Sequence, residues 1–297
     1  MKNKLKILLT GGSGFIGRNI KESYLAAGYD IATPRSSELN LIDSDSVDKF
    51  FRNKNFDIVL HAATKPGHRN AKDPTNLFYS NVRMFENLAR YKDKYGKFIN
   101  FGSGAIYDNS KDIKNAKETD IFKNIPQDEH GFCKYVVAKR IEKLDNFTDL
   151  NIFGIFGKYE DWEIRFISNA ICKTLFDLPI TLKQNRRFDY LFIDDLMPIL
   201  EYFIENDAKH KSYNIVPDEK TELIEAAKII QKINGKNLPV KIEKQGIGFE
   251  YTGDNAILKS ELKNIRFTGI QKAILTLYNY YMEQKHLIDK NKLLADK

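Results

Sequence analysis

A strand followed by a glycine turn near the N-terminus constrains the fold of this chain more than any other feature. The apolar residues 7–9 are followed by glycines at positions 11, 14 and 17 and then by a predicted helix over 18–28. The glycines allow a tight turn, a close approach of the backbone to a ligand, and close packing of helix on strand. The N-terminus of the helix then presents N–H groups and its positive dipole end to a phosphate. We therefore predict a dinucleotide site formed by Gly11, Ser13, Gly14, Phe15, Ile16 and Gly17.

Length and composition restrict the class of protein. With 297 residues, 42% of them hydrophobic, the chain can form one large α/β unit or a binding domain with a smaller companion. No apolar segment reaches the ~18 residues of a membrane span, and the basic start leads straight into the glycine turn. We therefore expect no signal peptide, no membrane association and a cytoplasmic location. Cys133 and Cys172 predict no disulfide framework, and no Cys or His spacing indicates a metal site.

The net charge of +7 raises the question of an anionic partner. The basic residues are spread along the chain and form no block, which is typical of a solvated surface. A nucleic-acid surface would require a basic cluster interleaved with aromatic residues, and the sequence has none. We therefore expect no nucleic-acid partner, and salt-dependent affinity for DNA is the measurement that checks this.

Strands and helices alternate along the first two thirds of the chain. Hydrophobic patterns predict strands at 6–9, 29–35, 56–63, 97–103, 151–157 and 188–193, with a short extended piece at 180–182. They predict helices at 18–28, 47–51, 78–91, 135–144, 164–176, 196–205, 221–233 and 270–285, and a loop at 108–125. This alternation predicts a doubly wound parallel α/β sheet of the Rossmann type, with ligands at the carboxyl edge of its strands.

The alternation weakens after residue 157, which indicates a second unit. We predict an NADP-binding Rossmann domain over 1–157, to which 187–213 returns. The remaining segments, 158–186 and 214–297, are predicted to form a smaller C-terminal α/β domain that binds the substrate over the strand ends.

The end of the second strand indicates which dinucleotide binds. A site that prefers NAD usually has an acidic residue there, which binds the ribose 2′-hydroxyl. This chain has Arg35, Ser36 and Ser37 instead, a cation and two hydroxyls suited to a 2′-phosphate. We therefore predict NADP(H), bound in part by Arg35 and Ser36. The alternative is an arginine that only faces solvent.

Three further residues are predicted to bind the cofactor. Ala62 and Ala63 end the third strand, and their small side chains would let the cofactor pass close to the backbone. Asn81 lies near the start of the next helix. His61 precedes the two alanines, and we assign it a structural or cofactor-adjacent role rather than a catalytic one.

Several segments together resemble the extended short-chain dehydrogenase/reductase family that acts on nucleotide sugars. They are Thr-Gly-Gly-Ser-Gly-Phe-Ile-Gly at 10–17, His-Ala-Ala at 61–63, Gly-Ser at 102–103 with Ile-Tyr at 106–107, Gly-Phe-Cys-Lys at 131–134 and Asp-Tyr-Leu-Phe-Ile-Asp-Asp at 189–195. The resemblance implies a Rossmann domain with a small substrate domain, a homodimer formed through two helices per subunit, and hydride transfer between a nicotinamide and a sugar carbon, usually C4.

The resemblance also assigns the catalytic residues. In the family a serine or threonine and a tyrosine hold the substrate oxygen, and the tyrosine moves the proton. A lysine four residues after the tyrosine binds the nicotinamide ribose and lowers the tyrosine pKa. Ser103 and Lys134 match the serine and the lysine, but His130 stands at the tyrosine position.

A second register also has the family's spacing, because Lys139 lies four residues after Tyr135. The family's tyrosine, however, opens its helix, precedes a glycine and lies four residues after a proline. His130 meets all three conditions, between Pro126 and Gly131, and Tyr135 meets none. We therefore adopt the register with His130 and Lys134.

The histidine leaves three hypotheses open. Imidazole can act as a general acid or base, with an unperturbed pKa of about 6.5, and Lys134 beside it would disfavour its charged form. The site is then a working variant, one whose tyrosine was replaced by mutation, or a degenerate site that binds without turnover.

The loop at 103–105 narrows the activity within the family. Nucleotide-sugar dehydratases have an acidic pair there, and GDP-fucose-synthase-like enzymes have a cysteine at the position of Ala105. This chain has neither, and Cys133 nearby is better explained as a small buried side chain. The resemblance therefore implies a 4-ketoreductase for an NDP-linked 6-deoxy-4-keto sugar in surface-polysaccharide sugar biosynthesis. An NDP-sugar 4-epimerase, which usually keeps a bound NAD, is the alternative.

Arginines in the segment after the Rossmann strands are candidates for binding the substrate. A planar guanidinium pairs with a diphosphate through two hydrogen bonds. Arg165, Arg186 and Arg187 are the residues that we predict to do so. In the family an arginine often lies at the position of Phe188, and Arg187 beside it would replace it.

Overall fold

The computed structural model describes residues 4–68 and 70–294. The strands within these residues are β1 (Lys6–Thr10), β2 (Asp30–Ala32), β3 (Phe56–His61), β4 (Tyr95–Ser103), β5 (Ile113–Ala116), β6 (Phe147–Ile152), β7 (Gly154–Phe156), β8 (Ile180–Asn185), β9 (Arg187–Phe192), β10 (Ser212–Ile215), β11 (Lys220–Glu222), β12 (Val240–Ile247) and β13 (Tyr251–Gly253).

The α-helices are α1 (Phe15–Glu22), α2 (Leu25–Gly28), α3 (Ser44–Phe51), α4 (Leu77–Ala89), α5 (Glu129–Ile141), α6 (Phe166–Leu175), α7 (Leu196–Glu205), α8 (Leu223–Asn234), α9 (Ala256–Glu261), α10 (Ile270–Glu283) and α11 (Lys290–Leu294). Short 3-10 helices occur at Lys92–Lys94, Gly104–Tyr107, Glu118–Asp120, Ile193–Asp195 and Lys285–Leu287.

A six-stranded parallel sheet, with the order β10-β6-β4-β3-β1-β2, forms the centre of the molecule. Its strands are buried on both faces, as parallel sheets usually are. Ile7 and Leu9 of β1 pack into one core cluster with residues of α1, α6 and α7. Leu8 faces the other way and packs with residues of α3, α4 and α5. The predicted Rossmann-type α/β fold is thereby confirmed.

A second, smaller sheet lies beside the end of the central one. Its order is β11-β9-β13-β5, and β7 also pairs with β9. β8 and β12 form a separate parallel pair. The small sheet joins segments far apart in the chain, because β5 near residue 115 pairs with β13 near residue 252.

The structure corrects several predicted boundaries. The first helix is divided into α1 and α2, the predicted strand at 151–157 is divided between β6 and β7, and the predicted loop at 108–125 contains β5. The helix predicted at 135–144 begins six residues earlier, because the Asp128 side chain accepts a hydrogen bond from the Gly131 N–H at 2.8 Å and caps it.

The predicted domain boundaries remain a prediction. β10 and α7 pack on the central sheet, as the returning segment 187–213 requires. β9, at the start of that segment, and β5, within 1–157, both lie in the small sheet.

Residues 4–68 and 70–294 contain neither a membrane-spanning helix nor a metal-binding cluster of side chains. Within them no helix combines the length and the apolar character of a membrane span. Nor do they contain a group of three or more His, Cys, Asp or Glu side chains that could hold a metal ion.

Candidate active site

The glycine turn after β1 has the geometry of a phosphate cradle. Gly11 has a φ of +72°, and a Cβ there would lie 2.6 Å from the Ala63 nitrogen. A Cβ on Gly17 would collide with the Gly11 carbonyl oxygen. Gly14 is the N-cap of α1, whose first turn has neither a side-chain cap nor an acidic residue. The N–H groups of the first turn are therefore free of competing side-chain oxygens, which fits a diphosphate.

The end of β2 lies directly against this turn. A Cβ on Gly12 would come within 2.9 Å of the Thr33 Cβ, two residues before Arg35. Arg35 and Ser36 are exposed. Glu38, an acidic residue three positions after Arg35, was not predicted from the sequence as part of this site. The Glu38 carboxylate accepts a hydrogen bond from the Arg35 N–H at 2.8 Å, so it already has a backbone partner.

His61 joins two strands beneath the cofactor turn. Its Nδ1 lies 2.9 Å from the Thr10 hydroxyl, which accepts a hydrogen bond from the Ala63 N–H at 3.3 Å. Burial, and secondarily the charge of Lys134, lowers the pKa of His61 to about 3. His61 is therefore neutral at physiological pH, and its contacts agree with the structural role assigned above.

Asn81 on α4 organises the segment that follows β3. Its side-chain oxygen accepts hydrogen bonds from the Lys65 N–H at 2.8 Å and the Thr64 hydroxyl at 3.1 Å, and its amide donates to the Lys65 carbonyl at 3.1 Å. Asn81 thus fixes the backbone just after Ala62 and Ala63. These two alanines lie against the glycine turn.

Ser103 lies at the end of β4, beside the first turn of α5. Its side-chain oxygen accepts a hydrogen bond from the Ala105 N–H at 3.2 Å. A Cβ on Gly131 would lie 2.6 Å from the Ala105 carbonyl oxygen, so only glycine lets α5 approach the serine loop this closely. Lys134 lies one helical turn after His130 and donates a hydrogen bond to the Phe101 carbonyl at 2.8 Å. The structure therefore brings Ser103, His130 and Lys134 to one edge of the sheet.

The environment of His130 determines its charge. Burial lowers the pKa of His130 to about 4, Lys134 and Arg165 act in the same direction, and Asp128 opposes them. A group with this pKa is neutral at pH 7. His130 can therefore donate an N–H hydrogen bond but is not an imidazolium acid at that pH.

The alternative pair on α5 packs elsewhere. The ring of Tyr135 lies 5.2 Å from that of Phe122, in an edge-to-face arrangement. The Lys139 ammonium lies 3.7 Å from the centre of the same Phe122 ring. Cys133 is buried, and burial raises the pKa of its thiol to about 11, so the thiol stays protonated.

A row of buried polar residues crosses the central sheet near the carboxyl ends of its strands, and it was not predicted from the sequence. Thr10, His61, Asn100 and Asp149 are neighbours in register on β1, β3, β4 and β6. Asn100 donates a hydrogen bond to Asp149 at 2.7 Å. Burial raises the pKa of Asp149 to about 6, against the effects of Asn100 and Lys134. Polar residues inside the otherwise apolar strand 147–152 were the signal that could have revealed this row.

The three arginines have different surroundings. Arg165 precedes α6 and is close enough to His130 to lower its pKa. Arg186 donates a hydrogen bond from Nε to the Phe249 carbonyl at 2.7 Å, and its guanidinium lies 5.0 Å from the Phe188 ring centre. Arg187 pairs with Glu222 at 3.1 Å and lies 3.9 Å from Glu250. Its side chain is therefore held by carboxylates of the small sheet.

Comparison with known proteins identifies the family of this chain. Residues 7–216 match the NAD dependent epimerase/dehydratase family, well over half of the chain. The chain belongs to that family. The predicted resemblance and the prediction of an enzyme are thereby confirmed.

Two relatives and two solved structures illustrate the similarity. GDP-L-colitose synthase of Yersinia pseudotuberculosis is 23% identical over 313 residues, which cover 95% of this chain and 99% of that protein. GDP-L-fucose synthase of Azorhizobium caulinodans is 28% identical over 170 residues, 52% of this chain and 54% of that protein.

The GDP-mannoheptose C4 reductase from Campylobacter jejuni, solved with NADP bound, superposes with a TM-score of 0.80 and 20% identity, covering 95% of this chain and 99% of that one. UDP-glucose 4-epimerase from Thermotoga maritima superposes with a TM-score of 0.80 and 19% identity, covering 94% and 99%. At such identities the superpositions show a shared fold.

Proposed function

We propose that this protein reduces the 4-keto group of a nucleotide-linked 6-deoxy-4-keto sugar with NADPH. The observation that supports this most is the loop at 103–105. Ser103 there lies at the same edge of the sheet as His130 and Lys134, while the loop offers neither a carboxylate nor a thiol that could remove a carbon-bound proton. Such a site can hold and protonate an oxygen, but this loop has no group that could dehydrate the sugar or epimerise it by removing a proton from carbon. The GDP-L-colitose synthase and the C4 reductase are similar over their whole length, in agreement with this class of substrate.

The cofactor fits the cradle. The nearest atoms to a Cβ at Gly11, Gly14 or Gly17 are backbone atoms, so the turn is built for close approach, and α1 begins there. We assign the 2′-phosphate to the exposed Arg35 and Ser36, since the nearby Glu38 carboxylate is engaged with the Arg35 N–H. Lys134 would hold the nicotinamide ribose.

The reaction needs a hydride at carbon and a proton at oxygen. NADPH, when bound, supplies the hydride. The Ser103 hydroxyl and the neutral His130 N–H donate hydrogen bonds to the oxygen as negative charge develops on it. The Lys134 ammonium stabilises that charge electrostatically. The proton reaches the oxygen through Ser103 or water, because His130 has none to give as imidazolium at pH 7.

We assign the diphosphate of the substrate to Arg165 and Arg186. Arg187 was predicted for the same task, and its pairing with Glu222 favours the other two. A homodimer, a cytoplasmic location and a place in surface-polysaccharide sugar biosynthesis remain predictions.

The test is NADPH oxidation with a panel of GDP-, CDP-, UDP- and dTDP-linked 4-keto sugars. We expect turnover with one nucleotide class and a loss of ~10²-fold or more in His130→Ala, which removes the N–H donor to the substrate oxygen. Absence of turnover across the panel at every pH would contradict the proposal.

The second candidate is a cofactor-binding protein without turnover, and it is favoured by the departure from the family's tyrosine at His130. It predicts tight NADPH binding, no hydride transfer in the natural chain, and activity created by His130→Tyr. The same panel separates the two hypotheses.

A further inference from the structure

One face of the small sheet carries aromatic rings that lead to an arginine. Phe188 and Tyr190 share a face of β9, because alternate residues of a strand point the same way, and their ring centroids lie 5.4 Å apart. On the parallel neighbour β13, Tyr251 stands opposite Phe188, with 5.8 Å between the two centroids. The Arg186 guanidinium lies 5.0 Å from the Phe188 ring centre. The rings on this face therefore continue into a guanidinium.

The inner end of this face lies at the loop that carries Ser103. The Tyr251 centroid is 5.0 Å from that of Phe153. A Cβ on Gly104, the residue after Ser103, would lie 2.6 Å from atoms of the Phe153 ring. A chain of three packed aromatic side chains thus connects the serine loop with Arg186. We call these three the aromatic row: Phe153, Tyr251 and Phe188.

The outer end of the face is a pair of exposed apolar side chains. Ile247 is 62% and Phe249 is 50% exposed. The Arg186 Nε donates a hydrogen bond to the Phe249 carbonyl at 2.7 Å. The Gly248 N–H donates to the Asn185 carbonyl at 2.8 Å. The backbone of Phe249 is therefore fixed beside Arg186, while its side chain remains half-exposed.

The order of groups along this face matches the order of groups in a nucleotide sugar. The sugar oxygen that reacts is assigned to Ser103, and the diphosphate, which follows the sugar, is assigned to Arg186. The ribose and the base come next, and Phe249 is the side chain next to Arg186 at the outer end. An aromatic ring can stack on any base, because every base has a π face. Position and exposure together therefore give Phe249 a ligand.

We propose that Phe249 binds the nucleobase of the substrate by stacking, with Ile247 as an apolar neighbour. The inference rests on the proposed function, whose substrate is a nucleotide sugar, and it names the residue that binds the nucleoside part. Stacking recognises the face of a base. Phe249 therefore distinguishes a nucleotide from a bare diphosphate, while Arg186 binds both.

Calorimetric titration of the NADPH-saturated protein tests this. The probes are GDP, CDP, UDP, dTDP and inorganic pyrophosphate. We expect Phe249→Leu to weaken binding of the best nucleotide about 10-fold, because the stacked ring is lost, and to change pyrophosphate affinity less than about 2-fold. Arg186→Gln should weaken both about 10-fold, because it removes the charged hydrogen bonds to the phosphates.

Two controls accompany the titration. Phe249→Tyr keeps a ring that can stack, so nucleotide affinity should stay within about 2-fold of that of the natural chain. Tyr24→Leu removes a ring that is 53% exposed and whose hydroxyl donates to the distant Glu201 at 2.9 Å. It should leave nucleotide affinity unchanged. Circular dichroism checks that each variant is folded.

Steady-state kinetics give a second measurement. The base is bound equally in the ground state and the transition state, so Phe249→Leu should raise the KM for the ketosugar about 10-fold and leave kcat within about 2-fold.

The outcomes separate the two proposals. Equal nucleotide affinity in Phe249→Leu and the natural chain, or a loss that Phe249→Tyr shares, overturns the inference, and so does a natural chain that binds none of the four nucleotides. Turnover by the natural chain then still upholds the proposed function. Absence of turnover with every ketosugar overturns the proposed function, whereas nucleotide affinity that depends on the ring at position 249 upholds the base site.

Discussion

The cofactor side and the substrate side of this site are built in opposite ways. The cofactor side uses consecutive segments: β1, the glycine turn, α1 and the end of β2 all lie within the first 38 residues. The substrate side is assembled from β5, β9, β11 and β13, which span more than 130 residues. The phosphate cradle is therefore a local motif, whereas the surroundings of Ser103 depend on pairing between strands distant in the chain.

Both sides use glycine to bring elements together, but the neighbours differ. On the cofactor side a Cβ on Gly17 would meet the Gly11 backbone, which cannot yield without moving the strand. On the substrate side a Cβ on Gly104 would meet the Phe153 ring, a side chain that could rotate at a cost. The same substitution should therefore have different consequences.

The largest effect is expected for Gly17→Ala. The added methyl would separate α1 from the turn, and we expect NADPH affinity to fall about 10²-fold and the free energy of unfolding to drop by about 2–3 kcal/mol. NADPH fluorescence titration and thermal unfolding measure both.

Gly28→Ala is the matched control, because nothing lies within 4 Å of a Cβ there. It should change the free energy of unfolding by no more than about 0.5 kcal/mol. If Gly17→Ala behaved like it, the close approach of α1 to the turn would not matter for binding.

A smaller effect, confined to the substrate side, is expected for Gly104→Ala. Displacing Phe153 would shift Tyr251 and the serine loop, so kcat should fall about 10–30-fold while the Kd for NADPH changes less than about 2-fold. Gly269→Ala, where a Cβ would meet nothing within 4 Å, is the control. A parallel loss of NADPH affinity would show that the two sides are not independent.

Arg165 and Arg187 are expected to contribute differently to binding the diphosphate of the substrate. Arg165→Gln should raise the KM for the nucleotide sugar about 10-fold, because a charged hydrogen bond to the diphosphate is lost. Arg187→Gln removes an arginine that is paired with Glu222, and its KM should stay within about 2-fold. Steady-state kinetics distinguish the two, and the reverse order would assign the diphosphate to Arg187.

The smallest effect concerns stability and pH. Burial raises the pKa of Glu160 to about 8, so between pH 4.5 and 8 the folded chain holds a proton that the unfolded chain releases. The stability that the folded chain gains from holding this proton is therefore lost as the pH rises through this window. Glu160→Gln should lessen the fall in stability between pH 5 and 8 by roughly 1–3 kcal/mol.

Denaturant unfolding at several pH values measures this difference, and Glu283→Gln on the exposed end of α10 is the control. The buried His61 on the cofactor side has the opposite sign. Its pKa is lowered to about 3, so its contribution is present at neutral pH and is lost as the pH falls through the range between about 6.5 and 3. Equal pH dependence in Glu160→Gln and in the natural chain would mean that Glu160 is not protonated at neutral pH.

Much of the fold followed from patterns of near neighbours. Four of the six central strands, α7 and the glycine turn were predicted within a few residues, because buried parallel strands are apolar and the turn needs glycine. β6 begins four residues before the strand predicted at 151–157, and β10 was not predicted. The boundary of α5 was wrong, although the cap that decides it, Asp128, stands in the sequence two residues before His130. The predicted start of this helix followed the local hydrophobic periodicity and not the capping residue.

Sequence alone was enough to recognise the family, which the comparisons confirm, and to predict the phosphate cradle and the trio Ser103, His130 and Lys134, because each depends on residues at fixed short spacing. The tertiary structure alone shows that Arg187 pairs with Glu222 and that burial lowers the pKa of His130 enough to keep it neutral at pH 7. Those facts depend on strand pairing and desolvation between separate segments of the chain, since Arg187 and Glu222 lie 35 residues apart on paired strands, and no short spacing encodes such contacts.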